Sequence, residues 1–208
     1  VIGRVVDAGG ILNEWKANNN QYYYNVVYNN QGYGIGTNRA ANISIFNNTV
    51  YGNNTGGYSY GEIFAEDYIL APYTQTISNI LIKNNIGVAN KTAAFAITLG
   101  SEVPVSAGLS VTNNNWHKTT GGNWVCAVGG CTSDLDLWNA QSYVGTDLNA
   151  DPLFFNAANA DFHLQSSSPA INAGTNVGLT RDYAGTFVPQ GSAPDIGAYE
   201  YVQAGDTI

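Results

Sequence analysis

Apolar and polar residues alternate in short runs along most of this chain, and asparagine interrupts the runs at recurring places. "YYYNVVYNN" begins at Tyr22, "NISIFNNTVYGNN" at Asn42, "ILIKNNIGVAN" at Ile80 and "LSVTNNNWHKT" at Leu109. Set in register, each reads apolar, any, apolar, any, Asn, and then a second apolar group. The first asparagines of the units are Asn25, Asn47, Asn84 and Asn113, with gaps of 22, 37 and 29 residues. Alternation predicts strands, and asparagine is poor inside them. A shorter run precedes each unit: "GILNEWK" from Gly10, "GYGIGTN" from Gly32, "GEIFAED" from Gly61 and "AFAITLG" from Ala94. Two strands and two turns per unit of about 22 residues, with insertions of differing length, form a repeat pattern. Helical spacing is confined to "DLDLWNAQSY" from Asp134.

This pattern predicts an all-β chain, a parallel β-helix or solenoid whose coils stack about 4.8 Å apart. The coils are expected at residues 9–30, 31–54, 55–91 and 92–120. Stacking brings like residues together, so Asn25, Asn47, Asn84 and Asn113 are expected as a structural ladder at a corner. There asparagine accepts left-handed backbone geometry, and each amide donates to the next carbonyl. Ile43, Ile45, Val50, Ile80, Ile82, Ile86, Val88, Leu109 and Val111 are the expected inward-facing residues.

The end of the chain reads differently. Asp151-Pro152 with Phe154 is followed by Asp161-Phe162-His163-Leu164, then Ser168-Pro169-Ala170-Ile171 with Ala173-Gly174, then Asp182, Gly185 and "PDIGAYEY". This stretch resembles the C-terminal ending of many secreted bacterial right-handed parallel β-helix proteins. The resemblance covers about the last 60 residues, and it implies a right-handed coil and a bacterial, secreted or cell-surface protein. On this reading residues 1–146 form the coils and 147–208 an irregular C-terminal cap of the same domain. The cap covers the open edge that the last coil would otherwise expose. His163 and Asp195 then read as structural hydrogen-bonding residues.

Composition narrows the partners. The chain has 208 residues, enough for one domain with a sizeable core. Only 11% of residues are charged and 27 are asparagine. A net charge of −8 repels phosphate backbones, which argues against nucleic acid. No run of about 18 apolar residues is present, so no membrane span is expected. The sequence opens on Val1 without a signal-peptide pattern and has no Met, which reads as a mature or truncated chain. Cys126 and Cys131 in "CAVGGC" sit in a short glycine-rich loop and are expected to form a disulfide in an oxidising compartment.

Candidate chemistry gathers on the strand before each asparagine unit. Glu14 and Lys16 lie in "NEWKANN", Arg39 in "GTNRA", and Glu62, Glu66 and Asp67 in "GEIFAED". Lys16 and Arg39 are 23 residues apart, close to one coil. The arrangement "NEWKANN…NRAANISIFNNTVYGN" is similar to the chondroitinase B-like polysaccharide lyases, in which a Glu, a Lys and an Arg one coil later line the groove. That resemblance implies Lys16 as base, Arg39 as charge stabiliser and Glu14 as a calcium ligand, with Ca2+ the one cofactor it suggests. Where that family has Arg-His-Gly, this chain has Asn38-Arg39-Ala40. A glycoside hydrolase instead needs two carboxylates, and Glu14 with Glu66 supplies a pair two coils apart. The candidate catalytic residues are therefore Lys16, Arg39, Glu14 and Glu66.

Tyrosine is concentrated before residue 75, and exposed rings suit the C–H faces of sugars. Trp15, Tyr24, Tyr60 and Tyr68 are the candidate substrate-binding residues. The functional expectation is a carbohydrate-interacting protein, the C-terminal part of a polysaccharide lyase or glycoside hydrolase, with a polysaccharide or cell-surface glycan as partner. The competing reading is a structural or adhesive cell-surface or filament subunit that self-associates through its N-terminal coil.

Overall fold

The computed structural model describes residues 9–14, 16–58, 60–66, 77–100, 108–127 and 130–203, and they are mostly strands. Each repeat holds three strands rather than two, because the asparagine pair splits the longer run. The first circuit contains β1 (Ile11–Glu14), β2 (Gln21–Tyr23) and β3 (Val26–Tyr28). The second contains β4 (Ile35–Asn38), β5 (Ala41–Phe46) and β6 (Thr49–Tyr51). The third contains β7 (Gly61–Glu66), β8 (Ser78–Lys83) and β9 (Ile86–Ala89), and the fourth β10 (Phe95–Leu99), β11 (Ser110–Thr112) and β12 (Asn115–Lys118).

Within these circuits strands pair in parallel with those three places further along the chain. The result is three sheets: β1-β4-β7-β10, β2-β5-β8-β11 and β3-β6-β9-β12. The first sheet continues through β13 (Val125–Ala127) and the antiparallel β14 (Gly130–Thr132), across which Cys126 and Cys131 form the expected disulfide. Parallel bridges from Val111 to Val144 and from Asn115 to Leu148 extend the other two sheets. The helical spacing after Asp134 becomes α1 (Leu135–Asn139), whose first turn is capped by the Asp134 carboxylate accepting from Leu137 N.

In-register pairing turns the alternation into columns of side chains. Ile35, Ile63, Ile97 and Val125 form one column, and Ile45, Ile82 and Val111 another, all buried. Each fully buried isoleucine is worth roughly 1.5–3 kcal/mol relative to an exposed one.

The corner between the second and third sheets is held by amides. Asn25 Nδ2 donates to Asn48 Oδ1 at 2.8 Å, Asn48 to Asn85 at 2.9 Å, Asn85 to Asn114 at 3.0 Å, and Asn114 to Asp147 Oδ1 at 3.0 Å. Each accepting oxygen also takes the backbone N–H of the preceding asparagine. An amide passes a hydrogen bond on, and at a buried end it would leave its own N–H unmet. Asp147, an acceptor only, ends the row. Its Oδ2 accepts Nε1 of Trp116 at 2.8 Å and of Trp138 at 2.9 Å.

This row differs from the expected ladder by one residue after Asn25. Tyr22 pairs with Ile45, so Tyr24, not Asn25, stacks beside Asn47. Tyr24, Asn47, Asn84 and Asn113 share the left-handed backbone, with φ of 53°, 50°, 57° and 56°. Their neighbours in sequence make the buried row. The amides of this second row turn outward: Asn47 donates to Asp195 O, Asn84 to Thr175 O and to Asn47 Oδ1, and Asn113 to Ala173 O.

Those contacts also correct the place of the closing segment. It contains an antiparallel pair, β15 (Phe154–Asn156) and β16 (Asp161–Leu164), and then runs without regular structure. It lies along the flank of the third sheet, with Phe162 against Tyr28 and Tyr51 and with Leu164, Ala170 and Ile196 against Ile86 and Val88. Beyond β13 of the first sheet lie β14 and α1.

Ile86 and Val88 therefore face outward, beneath this flank, and not into the main core. Gly87 pairs with Val50 and faces inward, where a Cβ would lie 2.7 Å from the indole of Trp116. The ring from the next circuit takes the space that the glycine leaves.

Asp147→Asn keeps the side-chain size but turns an NH2 against either Asn114 or two indole N–H groups. Urea denaturation is expected to show a loss of about 3 kcal/mol. Asn85→Ala, which cuts the row in its middle, should cost a similar amount. A change below about 0.5 kcal/mol in both, the size expected of an ordinary surface substitution, would remove the row from the account of stability.

Candidate functional site

The strands β1, β4 and β7 place their last residues in one row: Glu14 pairs with Asn38, and Asn38 with Glu66. Ile35, Thr37, Ile63 and Ala65 are buried in the core, so their alternates Gly36, Asn38, Phe64 and Glu66 take the outer face. Glu66 lies over Gly100, where a Cβ would come within 3.3 Å of the Glu66 Cγ. Lys16 and Arg39 follow at the corner, with φ of 67° and 51°, and Lys16 N donates to Arg39 O at 3.2 Å.

The stacking thus brings Glu14, Lys16, Arg39 and Glu66 to one end of the first sheet. Their exposure differs. Lys16 is exposed, Glu14 and Glu66 are half-buried, and Arg39 is 3% exposed. Arg39, the expected charge stabiliser, is therefore shielded from solvent. Arg39 lies between neighbouring circuits, its backbone accepting from Lys16 and donating to Glu66 at 3.3 Å.

The aromatic candidates separate. Tyr60 packs with Tyr33, Tyr58 and Phe64, at centroid distances of 5.9, 6.5 and 5.6 Å. Phe64 spreads over Gly36, where a Cβ would lie 2.1 Å from the ring. This cluster covers the outer face of the first sheet next to the charged row. Tyr24 does not join it. It stands against the closing segment, and burial, with Glu200 and Asp182 nearby, pushes its hydroxyl well above the usual phenol range. Trp15 and Tyr68 lie outside the described residues.

Glu62, one of the candidate charges in "GEIFAED", is buried at the corner entering the first sheet. Its carboxylate accepts from Asn53 N at 3.0 Å and from Asn53 Nδ2 at 2.6 Å, while Asn30 Nδ2 donates to Asn53 Oδ1 at 2.8 Å. It ends a second amide row as Asp147 ends the first. A signal was present in the sequence: the preceding circuits have Gly10 and Gly34 there, and a Cβ at Gly34 would lie 2.1 Å from Val50. Burial raises the Glu62 pKa to about 8, against the lowering effect of the Asn53 donors.

Three more buried carboxylates hold the closing segment together. Asp182 accepts from Thr186 N and Glu200 N, Asp195 from Asn172 N and Tyr201 N, and Glu200 from Asp195 N and Gln190 N. Burial raises Asp195, and it raises Glu200 to about 7.

Among the described residues no group of three or more His, Cys, Asp or Glu is arranged to hold a metal ion. Glu14 has Asn38 as its neighbour in the row, with no converging carboxylates, so the described residues do not fit the calcium site that the lyase resemblance implies. No helix among them is long and apolar enough to cross a membrane. No family model, curated protein or solved structure matches the chain.

The raised carboxyl of Glu62 has a definite sign for stability. Between its ordinary value of 4.5 and about 8, the unfolded chain ionises while the folded chain keeps the proton. Folding is therefore favoured at the acid end of this window and loses stability as pH rises through it. Glu200 adds the same trend up to about 7. The urea midpoint should be higher at pH 5 than at pH 8, and Glu62→Gln should shrink that difference. An undiminished difference in the variant would acquit Glu62.

Proposed function

We propose that this chain is a right-handed parallel β-helix, secreted or displayed on a cell surface, that binds a polysaccharide along the outer face of its first sheet. The observation that carries this reading is the row Glu14, Asn38, Glu66 with Lys16 beside it. The ending from Asp151 to "PDIGAYEY" supports the secreted β-helix reading by its resemblance, and Tyr60 and its neighbours border the row with aromatic surface.

Hydrolysis with inversion is the reaction this row accommodates best. It needs one carboxylic acid to protonate the leaving oxygen and a carboxylate on the far side to activate water. Glu14 and Glu66 stand two strand spacings apart, about 9.6 Å along the sheet. That lies just past the upper limit of the roughly 6.5–9.5 Å used for inversion. Elimination from a uronate fits less well. Lys16 would act as base, but Arg39, the cation proposed to stabilise the developing anion, is 3% exposed.

The test is a panel of neutral and uronate polysaccharides, with binding, new reducing ends and new unsaturated ends all measured. Binding and slow release of reducing ends are expected. Glu14→Gln and Glu66→Gln should each lower turnover by about 100-fold or more while leaving binding in place. Absorbance from unsaturated ends would move the reaction to elimination. Absence of binding across the panel, with self-association in light scattering, would favour the structural subunit.

A further inference from the structure

The closing segment, which lies along the third sheet, carries exposed rings of its own. In β16, Phe162 and Leu164 turn under against the third sheet, so Asp161 and His163 face out. The His163 ring lies against Tyr199 with centroids 4.2 Å apart and planes tilted by 38°. Tyr183 joins this group, 5.3 Å from Tyr199 and edge-on at 67°. The backbone fixes the arrangement, since Tyr183 N donates to Ala198 O at 3.0 Å, next to Tyr199. Tyr183 is 58% exposed and the His163 side chain 57%.

Polar groups border these rings in a fixed orientation. Asp161 Oδ1 accepts from His163 N at 3.2 Å and lies 2.7 Å from His163 Nδ1. With Nδ1 donating to the carboxylate, a neutral imidazole presents Nε2 as an acceptor. Asp161 Oδ2 and His163 Nε2 have no hydrogen-bond partner among the described residues. The result is a ring surface edged by two acceptors directed at solvent.

We infer that Asp161, His163, Tyr183 and Tyr199 form a second glycan subsite, selective for neutral pyranose units. A pyranose offers a C–H face for the rings and hydroxyl donors for both acceptors. A uronate meets the Asp161 carboxylate and a chain with net charge −8, and is repelled. The subsite rests on these rings alone and is independent of the Glu14–Glu66 row.

Aromatic carbon–proton NMR spectra of the full chain, recorded while adding cellohexaose, mannohexaose, maltohexaose or trigalacturonate, test this directly. Saturable shifts of the His163, Tyr183 and Tyr199 ring signals are expected with at least one neutral hexasaccharide and not with trigalacturonate. Tyr183→Ala and His163→Ala should weaken that binding by about tenfold. Phe155→Ala, which removes an exposed ring on β15 outside this group, should leave it unchanged. No shift with any neutral hexasaccharide, or equal shifts with trigalacturonate, would overturn the assignment.

Discussion

The structure depends on one repeated contact: a side-chain amide at a corner that donates to the amide of the next circuit. Parallel strands in register bring equivalent corners to the spacing of neighbouring strands, about 4.8 Å. At that spacing an asparagine donates to one neighbour and accepts from the other, and its second N–H serves the backbone. The interior columns of Ile and Val follow from the same register. Such a row has a direction and leaves an unmet donor at its end. Where the end is buried, a carboxylate meets it: Asp147 in one row and Glu62 in the other. The row Asn79, Asn42, Asn19 runs on the surface and ends at exposed Asn19, where water can serve.

The closing segment decides which surfaces remain for function. It covers the third sheet, turns Ile86 and Val88 into a second apolar layer, and is tied down by Asn47, Asn84 and Asn113. The outer face of the first sheet keeps its charged row. The closing segment, while covering one sheet, exposes its own rings to solvent. A chain of low charge, held by amides inside, thus carries polar and aromatic groups on two separate surfaces.

Buried acids give this architecture a preferred pH range. Glu62, Asp195 and Glu200 are all raised mainly by burial, and Asp147 is raised in the same way despite its N–H donors. Carboxylates that close amide rows and clamp backbone N–H groups lose water in doing so. Their hydrogen bonds recover part of that cost but not all of it. The position of each acid is thus set by the geometry of the donors around it.

Local pattern alone determined the repeats, the strands that alternation implies, the short helix after Asp134, the disulfide, the place of Glu14 and Glu66 in one row two strands apart, and the meeting of Lys16 with Arg39. Each of these needs only periodicity and the strand spacing. Tertiary structure decided the rest. The row begun by Asn25 passes through Asn48 and not Asn47, because two adjacent asparagines look alike until pairing sets the register. Val88 faces out because a distant segment covers it, and alternation cannot say which of two apolar faces is the core. Arg39 is buried and Tyr24 lies apart from Tyr60 for the same reason. A side chain's surroundings come from neighbours remote in sequence, and the chain's own local pattern does not record them.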